Sequence, residues 1–399
     1  MTKSRSRLLV AQTADLHLES GYSHGSDGPD GINTRFADFA NTWLWICEDA
    51  VKREVDLFVF AGDMAKTRNP SPTAYRAFKA GLDLLAIAGI PALLVTGNHD
   101  LPAAPGKASA MEILAGGVVH VSSRPELIPG DRWQLATLPS VSRSTLLAKD
   151  EYKDLTREQI NDLMARKLIE IARGLRAQMT DDGIPRILVA HHSVSGASTS
   201  TDMMTTFFDE PVLPLHDLTA MGFDAIMLGH IHKPQELGDG AVYPGSPERI
   251  DFGEEKDEKA YCLWTFDDAN DPPGWSGGSF ECIPVPARRF VTLPLEHGGI
   301  SGRDLTDAVV RVRGKISEED ARSFDRAALA RLIYEQGASK VMPIELEIER
   351  TVTVRDSEMT EAMGPIEALT RYMTNQGVDT DRQGALKDAC EELLQGVAL

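Results

Sequence analysis

The chain has 399 residues, 42% of them hydrophobic and 25% charged, which is long for a single core and predicts two domains of ordinary globular composition. A formal net charge of −19 excludes a protein that coats nucleic acid by uniform basicity, but not an enzyme that grips a few phosphates with a locally basic face. No window reaches the roughly 18 apolar residues that cross a bilayer. The basic start Met1–Arg7 leads only into Leu8-Leu9-Val10-Ala11, too short for a signal sequence, so a cytoplasmic protein with no membrane contact is expected.

Up to about residue 286 the pattern alternates short apolar strands with helices. Strands are predicted at Arg7–Gln12, Leu57–Ala61, Ala92–Thr96, Ile187–Ala190 and Ala225–Leu228. Their consecutive Val, Ile, Leu and Ala suit sheets covered on both faces. Helices are predicted over about 35–53, 72–88 and 156–179. The stretch Glu19–Thr34, rich in Gly, Ser and Asp, reads as a disordered surface loop, with a segment that alters access to the site as the alternative. Tyr261–Phe266 and Phe280–Val285 read as a late hairpin around a Gly/Pro turn. A second unit starts near Ala287. In it, Val309–Arg313 and Ile344–Glu349 alternate with period two, and a helix opens at the capping sequence Ser317–Asp320 and ends near Gly337. Amphipathic segments over about 364–375 and 381–396 close the chain. The cysteines (Cys47, Cys262, Cys282, Cys390) show no CxxC spacing and are read as buried free thiols.

Chemistry-bearing motifs follow these strands at their C-terminal ends, where α/β sheets gather their ligands. Asp15-Leu-His17 follows the first strand, Gly62-Asp63 the second and Gly97-Asn-His-Asp100 the third; His191-His192 and Gly229-His-Ile-His232 follow the last two. The glycines let the chain turn and approach a ligand closely. Two carboxylates, an amide and several imidazoles form an O/N donor set suited to Mn, Fe or Zn rather than Ca or Mg. Two ions about 3.5–4 Å apart can activate a nucleophile and neutralise a phosphoryl group. Asp63 is the candidate bridge. His99, next to the candidate ligand Asn98, is the candidate catalytic residue facing the leaving group, as acid or charge stabiliser. His191 is preferred to His192 as ligand because it directly ends its strand. His24, His120, His216 and His297 read as surface or loop residues without partners.

The order DxH, GD, GNHD, H, GHxH is similar to that of the calcineurin-like metallophosphoesterase superfamily, over about the first 235 residues. The resemblance implies an α/β fold: a metallophosphoesterase β-sandwich flanked by helices, with a small C-terminal α+β capping domain. The segment Tyr243-Pro-Gly-Ser-Pro-Glu-Arg-Ile-Asp-Phe-Gly-Glu-Glu255, the opening Ala287-Arg-Arg-Phe-Val and the Val-Arg-Val-Arg strand further resemble the SbcD family of DNA repair nucleases. That resemblance implies one metal held by Asp15, His17, Asp63 and His232. A second would be held by Asp63, Asn98, His191 and His230, with His99 catalytic and Mn2+ the expected ion. It also implies double-strand exonuclease and single-strand or hairpin endonuclease action in DNA end processing, repair and recombination. An SbcC-like coiled-coil ATPase partner and a homodimer come with it. The domains expected are 1–286 (nuclease), 287–362 (DNA capping) and 363–399 (helical, for the partner ATPase). Apolar stripes through Pro365-Ile366, Leu369, Tyr372-Met373, Leu386, Ala389-Cys390, Leu393-Leu394 and Val397 suit either a coiled coil or the domain's own core.

Arg249, just past the metal motifs, is the first candidate for a substrate phosphate contact, followed by Arg288, Arg289, Arg311 and Arg313. Two other readings stay open. A phosphodiesterase or phosphatase acting on a small molecule or phosphoprotein would leave the C-terminal domain without a role. A DNA-end tethering scaffold would leave the complete ligand set without one.

Overall fold

The computed structural model describes residues 7–19, 21–102, 107–147, 152–181, 183–199, 210–238, 240–270, 273–275, 278–295, 303–349 and 363–396. They fall into two compact units, Met1–Gly314 with Asp325–Leu346, and Lys315–Phe324 with Glu347–Leu399.

Two sheets build the larger unit. In the first, β1 (Arg7–Thr13), β2 (Leu57–Phe60), β3 (Ala92–Val95) and β4 (Val119–Ser122) run parallel in that order. On the other side of β1, β13 (Ala260–Asn270) pairs antiparallel, carrying β14 (Pro273–Trp275) and β15 (Ser279–Pro284) in turn. The second sheet has β6 (Gln134–Leu138), β7 (Arg186–His191), β10 (Ala225–Gly229) and β12 (Ala241–Tyr243) in parallel. Its edges are β5 (Glu126–Pro129) and β11 (Gln235–Glu236), both antiparallel. A short ladder of β8 (Ser193–Val194) and β9 (Val212–Leu213) stands apart. A further sheet pairs β16 (Phe290–Pro294), β17 (Val309–Ser317) and β18 (Lys340–Val341) in parallel, and β19 (Glu345–Glu349) follows in sequence.

Strand periodicity explains the layering. Leu8, Val10, Leu57, Val59, Leu93 and Val95 of the first sheet meet Leu135, Ile187, Val189, Ala225 and Met227 of the second in one dry core. The alternate residues turn outward. Leu9, Phe58, Phe60 and Leu94 pack on helices α1 (Thr34–Lys52) and α2 (Pro72–Ile87). The short helix α3 (Arg143–Leu146) is followed by α4 (Arg157–Arg176), which covers Ala136, Leu188, Ala190, Ile226 and Leu228. The result is a helix–sheet–sheet–helix sandwich, and the central strands β2, β3, β7 and β10 are buried on both faces as the sequence predicts. The helices start where capping chemistry allows: Asn33 accepts from Arg35 and Phe36, Ser71 from Ala74 before Pro72, and Thr156 with Gln159 forms a capping box.

One polar side chain crosses the inner core. Gln12 Nε2 donates to the carbonyls of Leu228 (3.0 Å) and Val242 (3.2 Å) in the second sheet, and its Oε1 accepts from Trp264 Nε1 at 2.7 Å. It pins the sheets together just before β1 reaches the site.

Several expectations change. The helix expected from Ser317 to Gly337 is interrupted at Phe324, whose extended backbone separates α6 (Glu318–Ser323) from α7 (Arg326–Glu335); Asp325 caps the second. The small helix α5 (Leu215–Thr219) precedes β10. The Glu19–Thr34 stretch is not a disordered loop where it is described. Tyr22 is buried and stacks on Phe39 at 4.6 Å, and Asn33 Nδ2 donates to Tyr22 O. Two cysteines, Cys47 and Cys262, are buried, but Cys282 is exposed and Cys390 intermediate. In the smaller unit, α8 (Pro365–Asn375) and α9 (Thr380–Gly396) pack on each other, with Met373 buried and Leu386, Leu393 and Leu394 exposed. Val397 of the expected stripe lies outside the described residues. No described helix is long and apolar enough to cross a membrane.

Candidate metal centre

The loops leaving β1 and β2 are stitched together. Asp15 N–H donates to Gly62 O at 2.9 Å, and His17 N–H to Asp63 O at 3.0 Å. Six described non-glycine residues have positive φ, and Asp15 (54°), His17 (48°), Asp63 (60°) and His230 (102°) are four of them. Backbone strain is therefore concentrated where the candidate ligands lie. Gly97 and Gly229 permit close approaches: a Cβ would stand 2.0 Å from Asp63 Oδ1 at the first and 2.0 Å from Ala61 O at the second.

Seven candidate ligands converge. His17 Nε2 lies 3.0 Å from His232 Nε2 and 3.6 Å from Asp63 Oδ2. His191 Nε2 lies 3.5 Å from the same Asp63 oxygen and 4.0 Å from Asp15 Oδ1. Asn98 Oδ1 is 3.0 Å from His191 Nε2 and 3.1 Å from His230 Nδ1. Asp63 Oδ2 thus stands between His17 and His191, the position a bridging carboxylate needs. Donor atoms of Asp15, His17 and His232, of His17, Asp63 and His99, and of Asp15, Asp63 and His191 each gather within 4.8 Å. His99 is half-buried beside them. Its N–H donates to Asp63 Oδ1 at 2.9 Å, its Nδ1 donates to Lys66 O at 2.7 Å, and its ring stands edge-on to His17 at 4.9 Å.

A second layer of groups fixes these side chains. His191 Nδ1 donates to Ala61 O at 2.6 Å, leaving Nε2 to face the cluster. His232 Nδ1 meets Glu254 Oε1 at 2.9 Å, and the other Glu254 oxygen takes Lys259 Nζ at 2.6 Å. His230 Nε2 lies 2.9 Å from Glu210 Oε2, which leaves Nδ1 inward. Asp100 accepts the N–H groups of Asp63 (2.7 Å), Met64 (3.1 Å) and Gly97 (2.9 Å). None of Glu254, Glu210 and Asp100 had a role assigned from the sequence. Asp100 adjoins a motif and Glu254 lies in the 243–255 segment, whereas nothing local marks Glu210.

The donor set fits divalent metal. Asp15, Asp63 and His191 are all almost completely buried, where uncompensated carboxylates are costly. Burial pushes the His191 imidazole down, yet the Asp63 and Asp15 carboxylates more than reverse this and hold it protonated up to about 10. The cluster calls for positive charge at its centre, and inward-facing ring nitrogens and carboxylate oxygens are there to receive it.

The neighbouring His192 is turned away. Its Nε2 donates to Pro139 O at 3.1 Å, and burial with the His191 and His230 charges lowers it to about 3. His24 is not free either, packing on Phe252 and Phe290, and His120 meets Glu126 at 2.9 Å; His297 lies outside the described residues. Arg249 serves the fold: it donates to Arg288 O (3.0 Å) and Asp257 O (2.6 Å). Arg288 pairs with Asp38, Arg289 with Asp304, and Arg311 lies over Phe252 while bonding Thr292. Buried Arg35, overlooked in the sequence, donates to Glu248 (3.0 Å) and Arg249 O (2.7 Å), fastening the 243–255 segment to α1.

A family model described as calcineurin-like phosphoesterase matches residues 8–234. Among curated proteins, the chain is 25% identical to the DNA double-strand break repair protein Mre11 of Methanopyrus kandleri, an alignment covering 98% of this chain and 81% of that protein. It is 26% identical to a subunit of the nuclease SbcCD from Staphylococcus epidermidis over 53% of this chain and 55% of that protein. It is 27% identical to the uncharacterized metallophosphoesterase YhaO of Bacillus subtilis over 64% of this chain and 57% of that protein. The chain thus spans little more than half the length of the last two.

Proposed function

Because the chain belongs to the calcineurin-like phosphoesterase family, we propose that it is a two-metal phosphodiesterase that cuts DNA. The observation that carries the chemistry is the convergence of Asp15, His17, Asp63, Asn98, His191, His230 and His232 around one buried point, with His99 at its edge. Asp15, His17, Asp63 and His232 would hold one ion, and Asp63, Asn98, His191 and His230 the other. When bound, two ions supply charge neutralisation for the phosphoryl oxygens and activation of a nucleophile; manganese is the ion proposed.

The chain's own residues do the rest. The carbonyl of Ala61 and the carboxylates of Glu254 and Glu210 aim the three histidines, so no ligand has to reorient as substrate enters. Asp100 holds the turn that carries Asp63. His99, pinned by its N–H and Nδ1, has Nε2 available to hold the proton that the leaving oxygen takes.

The choice of DNA rests on the alignment across 98% of the chain with a repair protein. In this reading residues 287–362 cap the DNA and 363–399 engage an SbcC-like ATPase through exposed Tyr372 of α8 and the exposed leucines Leu386, Leu393 and Leu394 of α9. The activities are exonucleolytic on duplex ends and endonucleolytic on single strands and hairpins, within a homodimer. The test is incubation with manganese and end-labelled duplex DNA, with and without the ATPase, beside His99→Ala. We expect degradation that falls by about 10²–10⁴-fold in the variant while two metals remain bound. Turnover of cyclic nucleotides or phosphoproteins, with DNA left intact, would overturn the DNA reading.

A further inference from the structure

Beside the candidate centre lies a cleft of about 630 Å³ whose lining includes Arg68, Lys107 and Arg124 together with Ser109, Ser142 and Thr145. A cleft of this size holds a nucleotide-sized group. Its floor is continuous with the centre through hydrogen bonds. Ser109 Oγ donates to Asp100 O at 2.7 Å, and Ser140, also in the lining, donates through Oγ to His191 O at 2.9 Å and through N–H to Thr96 O at 2.9 Å. Arg68 is two residues beyond Lys66, whose carbonyl holds His99.

The charge of the cleft contrasts with that of the chain. Acids outnumber bases 60 to 41, and arginines such as Arg35, Arg132, Arg186 and Arg288 are paired with carboxylates. The side chains of Arg68, Lys107 and Arg124 make no hydrogen bond or ion pair among the described residues. The one carboxylate in the lining, Glu112, accepts the Ser109 N–H in a capping box. Three exposed, unneutralised cations around a hydroxyl-lined cleft form a site for a ligand with several phosphates and hydrogen-bonding edges.

We propose that this cleft is the subsite for the nucleotides flanking the scissile phosphate of a polynucleotide, with Arg68, Lys107 and Arg124 on the flanking phosphates. The proposal rests on the DNA reading above and adds these three cations to the candidate phosphate contacts, since Arg249, Arg288, Arg289 and Arg311 are engaged within the fold. It divides the labour: the metal centre acts on one phosphodiester, and the cleft selects substrates that have more than one.

The experiment compares the full-length protein with the triple variant Arg68→Gln/Lys107→Gln/Arg124→Gln, with manganese present. The substrates are bis(p-nitrophenyl) phosphate, which has no flanking phosphate, and an end-labelled single-stranded oligonucleotide. Hydrolysis of the small diester is expected to be unchanged, which also reports an intact centre. On the oligonucleotide, KM is expected to rise at least about tenfold, and the slope of log(kcat/KM) against log salt to flatten by about 2, since each single-strand phosphate contact contributes about 0.7. An oligonucleotide that is cut by both proteins with the same KM and salt slope removes the subsite and leaves the nuclease reading standing. Equal losses on both substrates remove it as well. A wild-type protein that hydrolyses the small diester but neither binds nor cuts the oligonucleotide removes subsite and DNA reading together.

Discussion

His232 depends on Glu254, and Glu254 in turn on Lys259, through contacts of 2.9 and 2.6 Å in a nearly dry setting. Replacing Glu254 with Gln keeps the shape and removes the charge that orients the imidazole. Metal affinity is expected to fall about 10–100-fold with unchanged circular dichroism, as measured by calorimetric titration; unaltered affinity would show that His232 is positioned by packing alone. A different residue offers a test free of metal. Cys262 and Cys282 face each other across β13 and β15 with sulfurs 3.9 Å apart. The hydrogen bond from Cys262 outweighs burial and brings the Cys282 thiol down to about 7. A lowered pKa means more thiolate at neutral pH, so iodoacetamide is expected to alkylate exposed Cys282 with a rate midpoint near pH 7. In Cys262→Ala that midpoint is expected to move up toward the ordinary thiol value of about 8.5. Identical pH profiles in the two proteins would discard the hydrogen bond as the cause.

Among elements, the coupling of the two sheets is the sensitive point. Gln12→Met conserves volume but leaves Trp264 Nε1 without its acceptor and withdraws the donor shared by Leu228 and Val242. An orphaned buried donor costs about 1–3 kcal/mol, so the urea midpoint is expected to drop accordingly. The strands that feed the centre were readable because each is an uninterrupted apolar run ending in a polar motif. Strands β4 and β6 were not, since they carry His120, Ser122, Gln134 and Thr137 where an apolar run was sought. Their polar groups are satisfied only once folded, as in the 2.7 Å contact between Ser122 and Thr137. The same reasoning explains the ligands. Spacing and strand ends reveal Asp15 or His230, but Glu210 and Glu254 become neighbours of the histidines only through tertiary structure, and Arg249 looked available until its carbonyl partners were in place.

For the whole molecule, metal and folding are linked, because the ligand set exists only in the folded chain. At a hundredfold excess over Kd each bound ion adds about 2.7 kcal/mol to stability. Manganese is therefore expected to raise the unfolding temperature by at least about 5 °C, EDTA to reverse the rise, and Asp63→Asn to lose most of it by removing the shared ligand. An unfolding temperature indifferent to manganese and EDTA would contradict the assignment of the cluster as a metal centre. The family was legible from motif order alone. The cleft was not, because its lining is assembled from segments around residues 68, 107, 124 and 142 that no local pattern connects.

Asp15, His17, Asp63 and Asn98 follow strands of the first sheet, whereas His191 ends a strand of the second and His230 and His232 follow another. A folding intermediate with only one sheet formed therefore owns half a chelate at best. In the two-metal reading, metal loading would be a checkpoint on maturation: the ions would be captured at full strength only after the two sheets have docked in register, and a chain that stalls earlier would stay catalytically silent.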